Sequence, residues 1–289
     1  MKTAMPYRTL GLALAVALAG CAQPPLLKGP QLPAAALPAF LPGDTLTWDG
    51  GYSETVVAVN GEEVDWRYPN GATFTSHRNF LLPAAKWDNP ETRATTLMPK
   101  APAALWPAEP GRASQFRTEQ RVTRKISNSE AVFQDQWTCR NDGSETVTVP
   151  LGHFDTFRLR CQLFYGGSIL EEYIWNYAPS LGQVVRRKLP KSDKPEELVG
   201  YSRGAVPDDA ARLAEHVVQR ALESAPSGKT YESRDRDRFV TVTPIASFRT
   251  EKGAFCREFR RRVEAGGVTS ISAAVACRGD DGLWKVPAK

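Results

Sequence analysis

From Asp44 to about Ser202 the chain reads as short runs of alternating apolar and polar residues, cut at intervals by turn dipeptides. Asn60-Gly61 separates Glu54–Val59 from Glu62–Tyr68, and Asn70-Gly71 separates that run from Ala72–His77. Asn-Gly supplies the positive φ angles of a type I′ hairpin, so three strands in a meander are predicted. Gly166-Gly167 sits between Thr156–Tyr165 and Ser168–Tyr177 and predicts another hairpin. Pro83 to Gly111, rich in Pro and Ala, reads as a long irregular connection or a pair of short helical turns. The expected fold here is an antiparallel sheet or open β-barrel, with tryptophans and tyrosines as its large apolar fillers.

The period changes at Asp208. Ala210, Leu213, Ala214, Val217, Val218, Ala221 and Leu222 recur at three- and four-residue steps through Ser224, the stripe of an amphipathic helix. Pro207 suits a first-turn position, and Asp208 and Asp209 favour the positive end of the helix. Strands are predicted at Phe239–Thr243, Ser247–Thr250, Ala254–Glu264 and Val268–Arg278. The whole is mainly β with an α+β C-terminal part, a helix packed on a small disulfide-stapled antiparallel sheet. The expected boundaries are 1–20 for a signal peptide, 21–43 for a tether, 44–203 for the β-rich domain and 204–289 for the α+β domain.

Composition narrows the function classes. The 289 residues are 24% charged and 42% hydrophobic, ordinary globular values that exclude wholesale disorder. A formal charge of +5, or +3 once Lys2 and Arg8 leave with the signal, is too small for a nucleic-acid protein. The apolar run Leu10–Gly20 is too short to span a membrane. His77, His153 and His216 are far apart, and the cysteines are too widely spaced for a metal cluster, so no cofactor is expected.

Met1–Arg8, the apolar Leu10–Leu18 and then Leu18-Ala19-Gly20-Cys21 resemble a bacterial lipoprotein signal. The resemblance implies cleavage before Cys21 and acylation of its thiol and amine, an anchor that holds where a single chain would not. Ala22 rather than Asp after the cysteine points to outer-membrane sorting, lipid-anchored, with the domains facing the periplasm or the cell surface. Gln23–Gly43 holds six prolines, so it favours polyproline II and, at about 3.1 Å per residue, reaches roughly 60 Å as a tether. For Leu37–Leu41 alone, docking on the first domain is an equal alternative.

Four cysteines remain and allow three connectivities. A two-residue Gly266-Gly267 turn pairs Ala265 with Val268, and Cys256 and Cys277 are equidistant from it, at a non-hydrogen-bonded position close enough for a bridge. Cys139 and Cys161 flank the Val149–Gly152 turn at nearly equal distances and form the other pair by the same argument. Both imply an oxidising compartment.

No phosphate loop, HExxH, GxSxG or clustered carboxylate pattern is present, and catalysis is not expected. His153 and Asp155 read as strand-edge residues. Arg257, Arg260, Arg261 and Arg262 form a basic strand, with Arg260 and Arg262 on the Cys256 face and Arg257 and Arg261 opposite. Pairing to Glu258, Glu264 and Asp280 explains most of it. The sharper alternative is a surface for anionic lipid, lipid A phosphates or a cell-wall polymer.

The helix ending ALESAPSG, then Val242-Thr243-Pro244, Cys256-Arg257-Glu258-Phe259, the Gly-Gly turn, Ala276-Cys277-Arg278 and Asp281-Gly282-Leu283-Trp284 resemble the C-terminal domain of the rickettsial 17 kDa surface antigen family of outer-membrane lipoproteins. That family usually places a GxxxG segment between lipobox and domain; here a strand-rich domain takes its place. Val149–Thr156 more faintly resembles envelope proteins bearing a VPAGTFDT motif. The resemblance implies location and fold and carries over no catalytic residues. The expected function is a non-catalytic outer-membrane lipoprotein acting as an envelope structural, assembly or binding factor, with envelope proteins among its partners. The alternative is a periplasmic lipid or acyl-chain carrier. A pocket of several hundred Å³ lined by tryptophan and leucine within 44–203 favours the carrier, and a flat sheet favours the binding module.

Replacing Cys21 by Ser is expected to abolish labelled palmitate incorporation and release the protein from membranes; wild-type incorporation overturns the lipobox reading. Non-reducing peptide mapping of envelope-derived protein is expected to recover Cys139–Cys161 and Cys256–Cys277, and crossed pairs or free thiols overturn the hairpin register.

Overall fold

The computed structural model describes residues 25–99, 102 and 105–287; the signal peptide and Cys21 lie outside them. Among the described residues, eighteen strands and one helix follow in chain order. The first, β1 (Leu27–Lys28), precedes a meander of short strands: β2 (Thr45–Trp48), β3 (Ser53–Asn60), β4 (Glu63–Arg67), β5 (Thr73–His77), β6 (Lys86–Asp88) and β7 (Thr92–Leu97). Longer strands continue it: β8 (Ala113–Arg124), β9 (Ser129–Val149), β10 (Gly152–Tyr165) and β11 (Ser168–Ala178). They are followed by β12 (Gln183–Lys188) and β13 (Glu196–Arg203).

Each strand from β2 to β13 pairs antiparallel with the next, and β13 returns to β2 through Leu198↔Trp48, Gly200↔Thr47, Tyr201↔Leu46 and Ser202↔Thr45. The result is a closed 12-stranded up-and-down barrel rather than an open sheet. Closure depends on a pairing between residues some 150 positions apart, which no local turn signal announces. The stretch expected to be irregular, Pro83–Gly111, contains two of the wall strands, β6 and β7. Gly166-Gly167 forms the predicted two-residue turn between Tyr165 and Ser168, with both glycines at positive φ. At the first hairpin the loop is Gly61-Glu62, because Asn60 is still paired, with Glu63.

The Pro-rich segment 27–43 is a strap on the barrel, which differs from the free polyproline tether expected for it. Beyond Arg140 the strand β8 no longer covers β9, and β1 takes the vacated edge in parallel, Leu27 beside Gly143 and Lys28 beside Ser144. The backbones cross so closely that a Cβ on Gly29 would lie 2.1 Å from the Ser144 carbonyl oxygen, and one on Gly143 would lie 2.6 Å from that of Leu27. Side chains at either position would prevent the crossing. Farther on, Ala35 bridges Ala108, the Tyr177 hydroxyl donates to the Ala36 carbonyl, and Phe40 is buried edge-on against Trp66. Apolar residues between the prolines therefore find partners on the barrel.

The C-terminal part comprises the helix α1 (Asp208–Ser224) and a sheet of β14 (Tyr231–Asp235), β15 (Arg238–Arg249), β16 (Phe255–Ala265), β17 (Val268–Arg278) and β18 (Trp284–Lys285). The two predicted strands at 239–250 are one strand, β15, with an irregularity between Pro244 and Ala246. The helix buries Ala210, Ala214, Val217, Val218, Ala221 and Leu222 against Val240, Val242, Phe259 and Val263, as its periodicity predicts. Pro207 stands just before its first turn as the N-cap. The sheet is also joined to the barrel: Gly200–Arg203 of β13 pair with Ser272–Thr269 of β17.

Both disulfides are present. Cys256 faces Cys277 and Cys139 faces Cys161, each pair with Cα atoms 4.0 Å apart. In the β9–β10 hairpin an irregularity between Phe157 and Leu159 slips the register by one residue, which brings Cys161 directly opposite Cys139.

The last turn of α1 has no basic residue of its own. Buried Arg257 supplies the missing donors, its Nη1 donating to the Leu222 carbonyl (2.6 Å) and its Nη2 to that of Ala225 (2.8 Å). Substituting Arg257→Met is expected to lower stability by about 3 kcal/mol, since two charge-assisted bonds to buried carbonyls are lost. Arg262→Met, at a side chain that is 52% exposed, should change it by only about 0.5 kcal/mol. Denaturant titration checks the difference; equal effects remove Arg257 from its capping role.

Candidate functional site

A barrel of about eight strands is filled by its own inward side chains, and wider barrels enclose space. With twelve strands the interior has to be filled by something other than the wall. At the end of the barrel where the strap lies, it is filled by inserted chain. The 78–85 loop carries Leu81 inward until its carbonyl oxygen lies 3.5 and 3.7 Å from the sulfurs of Cys161 and Cys139. Phe80 packs against Trp106, Trp175 and Tyr177, and the Trp106 indole donates to Asn79. The Cys139–Cys161 bridge is thus on the inner face, a fixed support for the loop that forms the floor.

Above this floor a cavity of about 710 Å³ remains. Its lining comes from every quarter of the wall: Trp48 and Glu54 on β2 and β3, Trp66 and Phe74 on β4 and β5, Trp87 on β6, and Trp137, Leu163, Tyr173, Trp175 and Arg187 on β9 to β12. Leu81, Leu82 and Ala84 contribute from the floor, and Phe40 from the strap. At the opposite end, where the β8–β9 and β10–β11 hairpins turn, Phe133 and Leu170 line the cavity while remaining exposed to solvent. That end is its mouth.

Arg187 is the one guanidinium on the lining. It stands 4.0 Å over the Trp48 ring, and its Nε donates to Glu196 (2.8 Å). Nη2 donates to Glu54 (2.9 Å) and to the Tyr52 hydroxyl (2.7 Å). Burial alone would lower its pKa, but the charge and hydrogen bonds of Glu54, with those of Tyr52 and Glu196, outweigh it and hold the group above its ordinary value. Glu54 also accepts from the Trp48 indole and the Tyr68 hydroxyl. The cluster is closed on itself and fixes β2, β3, β12 and β13 to one another.

A second polar group sits nearer the mouth. Asp135 on β9 and Glu171 on β11 both line the cavity, and Glu171 accepts from the Tyr173 hydroxyl at 2.9 Å. Desolvation, reinforced by the Glu171 charge, raises the Asp135 carboxyl above its usual range. Tyr173 is pushed up by burial and then by Glu171.

The residues singled out from sequence fall elsewhere. Cys21 lies outside the described residues. The four arginines separate as alternation requires, each with an intramolecular partner. Arg257 caps the helix, the Arg260 Nε donates to the Pro150 carbonyl of the barrel, Arg261 pairs with Glu215 of the helix, and Arg262 pairs with Glu264. Only the last partner is one expected from sequence. His153 and Asp155 bond separately across the hairpin, to Thr148 and Thr146, as strand-edge residues do. Sequence reasoning missed Arg187, Glu54, Asp135 and Glu171. The legible signal was alternation: Phe133, Asp135 and Trp137 share one face, as do Glu171, Tyr173 and Trp175.

Comparison with known proteins bears on the C-terminal part. Residues 220–285 match the family model for the 17 kDa outer membrane surface antigen. The "17 kDa surface antigen" of Rickettsia bellii (strain RML369-C) is 42% identical over 86 residues, which are 29% of this chain and 54% of that protein. That of Rickettsia conorii (strain ATCC VR-613 / Malish 7) is 44% identical over 77 residues, 26% of this chain and 48% of the relative. The chain spans about half the length of the curated relatives it matches. Among solved structures, the hypothetical lipoprotein YmcC of Escherichia coli (K12) aligns over 58% of this chain and 86% of its own, at 14% identity and a TM-score of 0.39. The end of the C-terminal helix and the disulfide-stapled sheet, residues 220–285, therefore resemble the 17 kDa surface antigen family of the outer membrane, in the segment where the ordered motifs of the sequence place that resemblance.

Proposed function

We propose that the protein is a lipid-anchored outer-membrane protein whose barrel holds the apolar part of an amphiphile, with the surface-antigen-like domain attached to its plugged end. The observation that carries this reading is the cavity: about 710 Å³, open at one end, walled by five tryptophans and by leucines. That volume is in the range of small-molecule sites, and an apolar lining with a few placed polar groups is their usual character. A volume of this size in a protein interior is well above packing defects, which are seldom larger than a water. The lipobox residues and the resemblance of residues 220–285 to an outer-membrane antigen support the location. Between the two alternatives set by the sequence, a hollow barrel favours the carrier over the flat binding module.

The full chain carrying Cys21→Ser is expected to bind the neutral apolar probe N-phenyl-1-naphthylamine saturably at one site, with enhanced, blue-shifted emission. Ala84 projects from the floor into the cavity, so Ala84→Trp should fill part of it and weaken binding at least tenfold without lowering the melting temperature. Failure to saturate, or an Ala84→Trp variant that binds as well as the parent, overturns the carrier reading.

A further inference from the structure

The charged groups on the cavity lining are unequal in number and in how far they are satisfied. Three carboxylates, Glu54, Asp135 and Glu171, face the cavity with one guanidinium, Arg187. Arg187 is committed to Glu54 and Glu196, both within 2.9 Å, and has no charge to spare for a ligand. The Asp135 carboxylate has no hydrogen bond or ion pair among the described residues, and Glu171 has one cationic neighbour among them, the outlying and exposed Lys191 ammonium at 3.9 Å.

The positions of the two carboxylates are set by register. Glu171 pairs with Leu163, which pairs with Trp137, which pairs with Phe116. One row below, Tyr173, Cys161 and Cys139 are aligned across the same three strands. Asp135 lies two residues along β9 from Trp137, on the same face and toward the mouth. The carboxylates therefore stand at the mouth side of an apolar well, beside Trp137 and Tyr173, whose ring centroids are 5.7 Å apart, with Glu171 at the hydroxyl edge of Tyr173. Aromatic faces attract cations and repel anions, and desolvated carboxylates do the same more strongly.

Resting on the carrier reading, we propose that this site takes an amphiphile with a cationic headgroup, an ammonium or guanidinium held between Asp135 and Glu171 beside Trp137 and Tyr173, with its apolar part in the cavity below. An anionic head such as a fatty-acid carboxylate would meet two carboxylates offset only by the outlying Lys191 ammonium. Burial first and the Glu171 charge second raise the Asp135 carboxyl, and a bound cation would oppose both.

Three ten-carbon probes that differ only in the head test this by isothermal titration calorimetry at pH 7.5 on the full chain carrying Cys21→Ser: decyltrimethylammonium, decanol and decanoate. The cation is expected to bind at least tenfold more tightly than decanoate, with decanol between them. Asp135→Asn combined with Glu171→Gln should bring the cation to the affinity of decanol while leaving decanol itself unchanged, which also shows that the variant is folded. The ranking in the unsubstituted protein stands as a test by itself should the double variant misfold. Decanoate binding as tightly as decyltrimethylammonium overturns the headgroup assignment and leaves the carrier reading intact. Failure of all three to bind overturns both.

Discussion

Strand β13 satisfies backbone hydrogen bonds on both of its edges, and the architecture follows from that. A strand edge left open is a row of unpaired donors and acceptors and a template for aggregation. Here one edge of β13 closes the barrel against β2, and the other is divided between β12 at Glu196–Glu197 and β17 at Gly200–Arg203. The barrel and the antigen-like sheet are thus one hydrogen-bonded surface rather than two bodies on a linker. Arg260, reaching from β16 to the Pro150 carbonyl, reinforces the same junction.

Closure at twelve strands creates the central physical problem of the molecule, an interior too wide for the wall to fill. The chain solves it at one end only. The 78–85 loop, the segment around Leu105–Ala108 and the proline-rich strap supply the missing volume there, and Leu81, Leu105, Ala108 and Phe40 are all buried. Disulfide chemistry takes part in this packing: the Cys139–Cys161 bridge joins two wall strands where the floor loop rests on them. At the other end the alternation continues along β9 and β11, no chain is inserted among the described residues, and open volume remains.

Elements whose causes are local were legible in the sequence. The Gly-Gly hairpins, the helix at Asp208–Ser224, the Cys256–Cys277 pairing and the antigen-like motifs were of this kind, because turn chemistry and periodicity act over a few residues. The Asp-Gly-x-Trp motif was legible but its packing role was not: the Trp284 backbone and indole clasp Gln219 and Glu223 of the helix, more than sixty residues away. Barrel closure, the wall strands in Pro83–Gly111 and the docking of the strap outside Leu37–Leu41 were not legible, because each depends on partners far along the chain. The cavity polar groups were hidden for a different reason. Glu54 and Arg187 are 133 residues apart, and in isolation each reads as an ordinary surface charge on a strand. The arginine strand was read correctly as internally paired, but pleating sends its members to partners that, Glu264 apart, the sequence did not indicate.

The crossing of Gly29 and Gly143 sets how far the barrel could stray from a lipid anchor at Cys21. Leu27 is fastened to the wall only six residues after Cys21, a leash of at most about 20 Å when fully extended. The rim residue Phe133 is ten residues up β9 from Gly143, about 34 Å along the strand. If Cys21 carries its acyl chains, the plugged end is kept close to the bilayer and the mouth is directed toward the aqueous space. Cargo would then arrive or leave by way of that space, and the leaflet that anchors the protein would not be its immediate source.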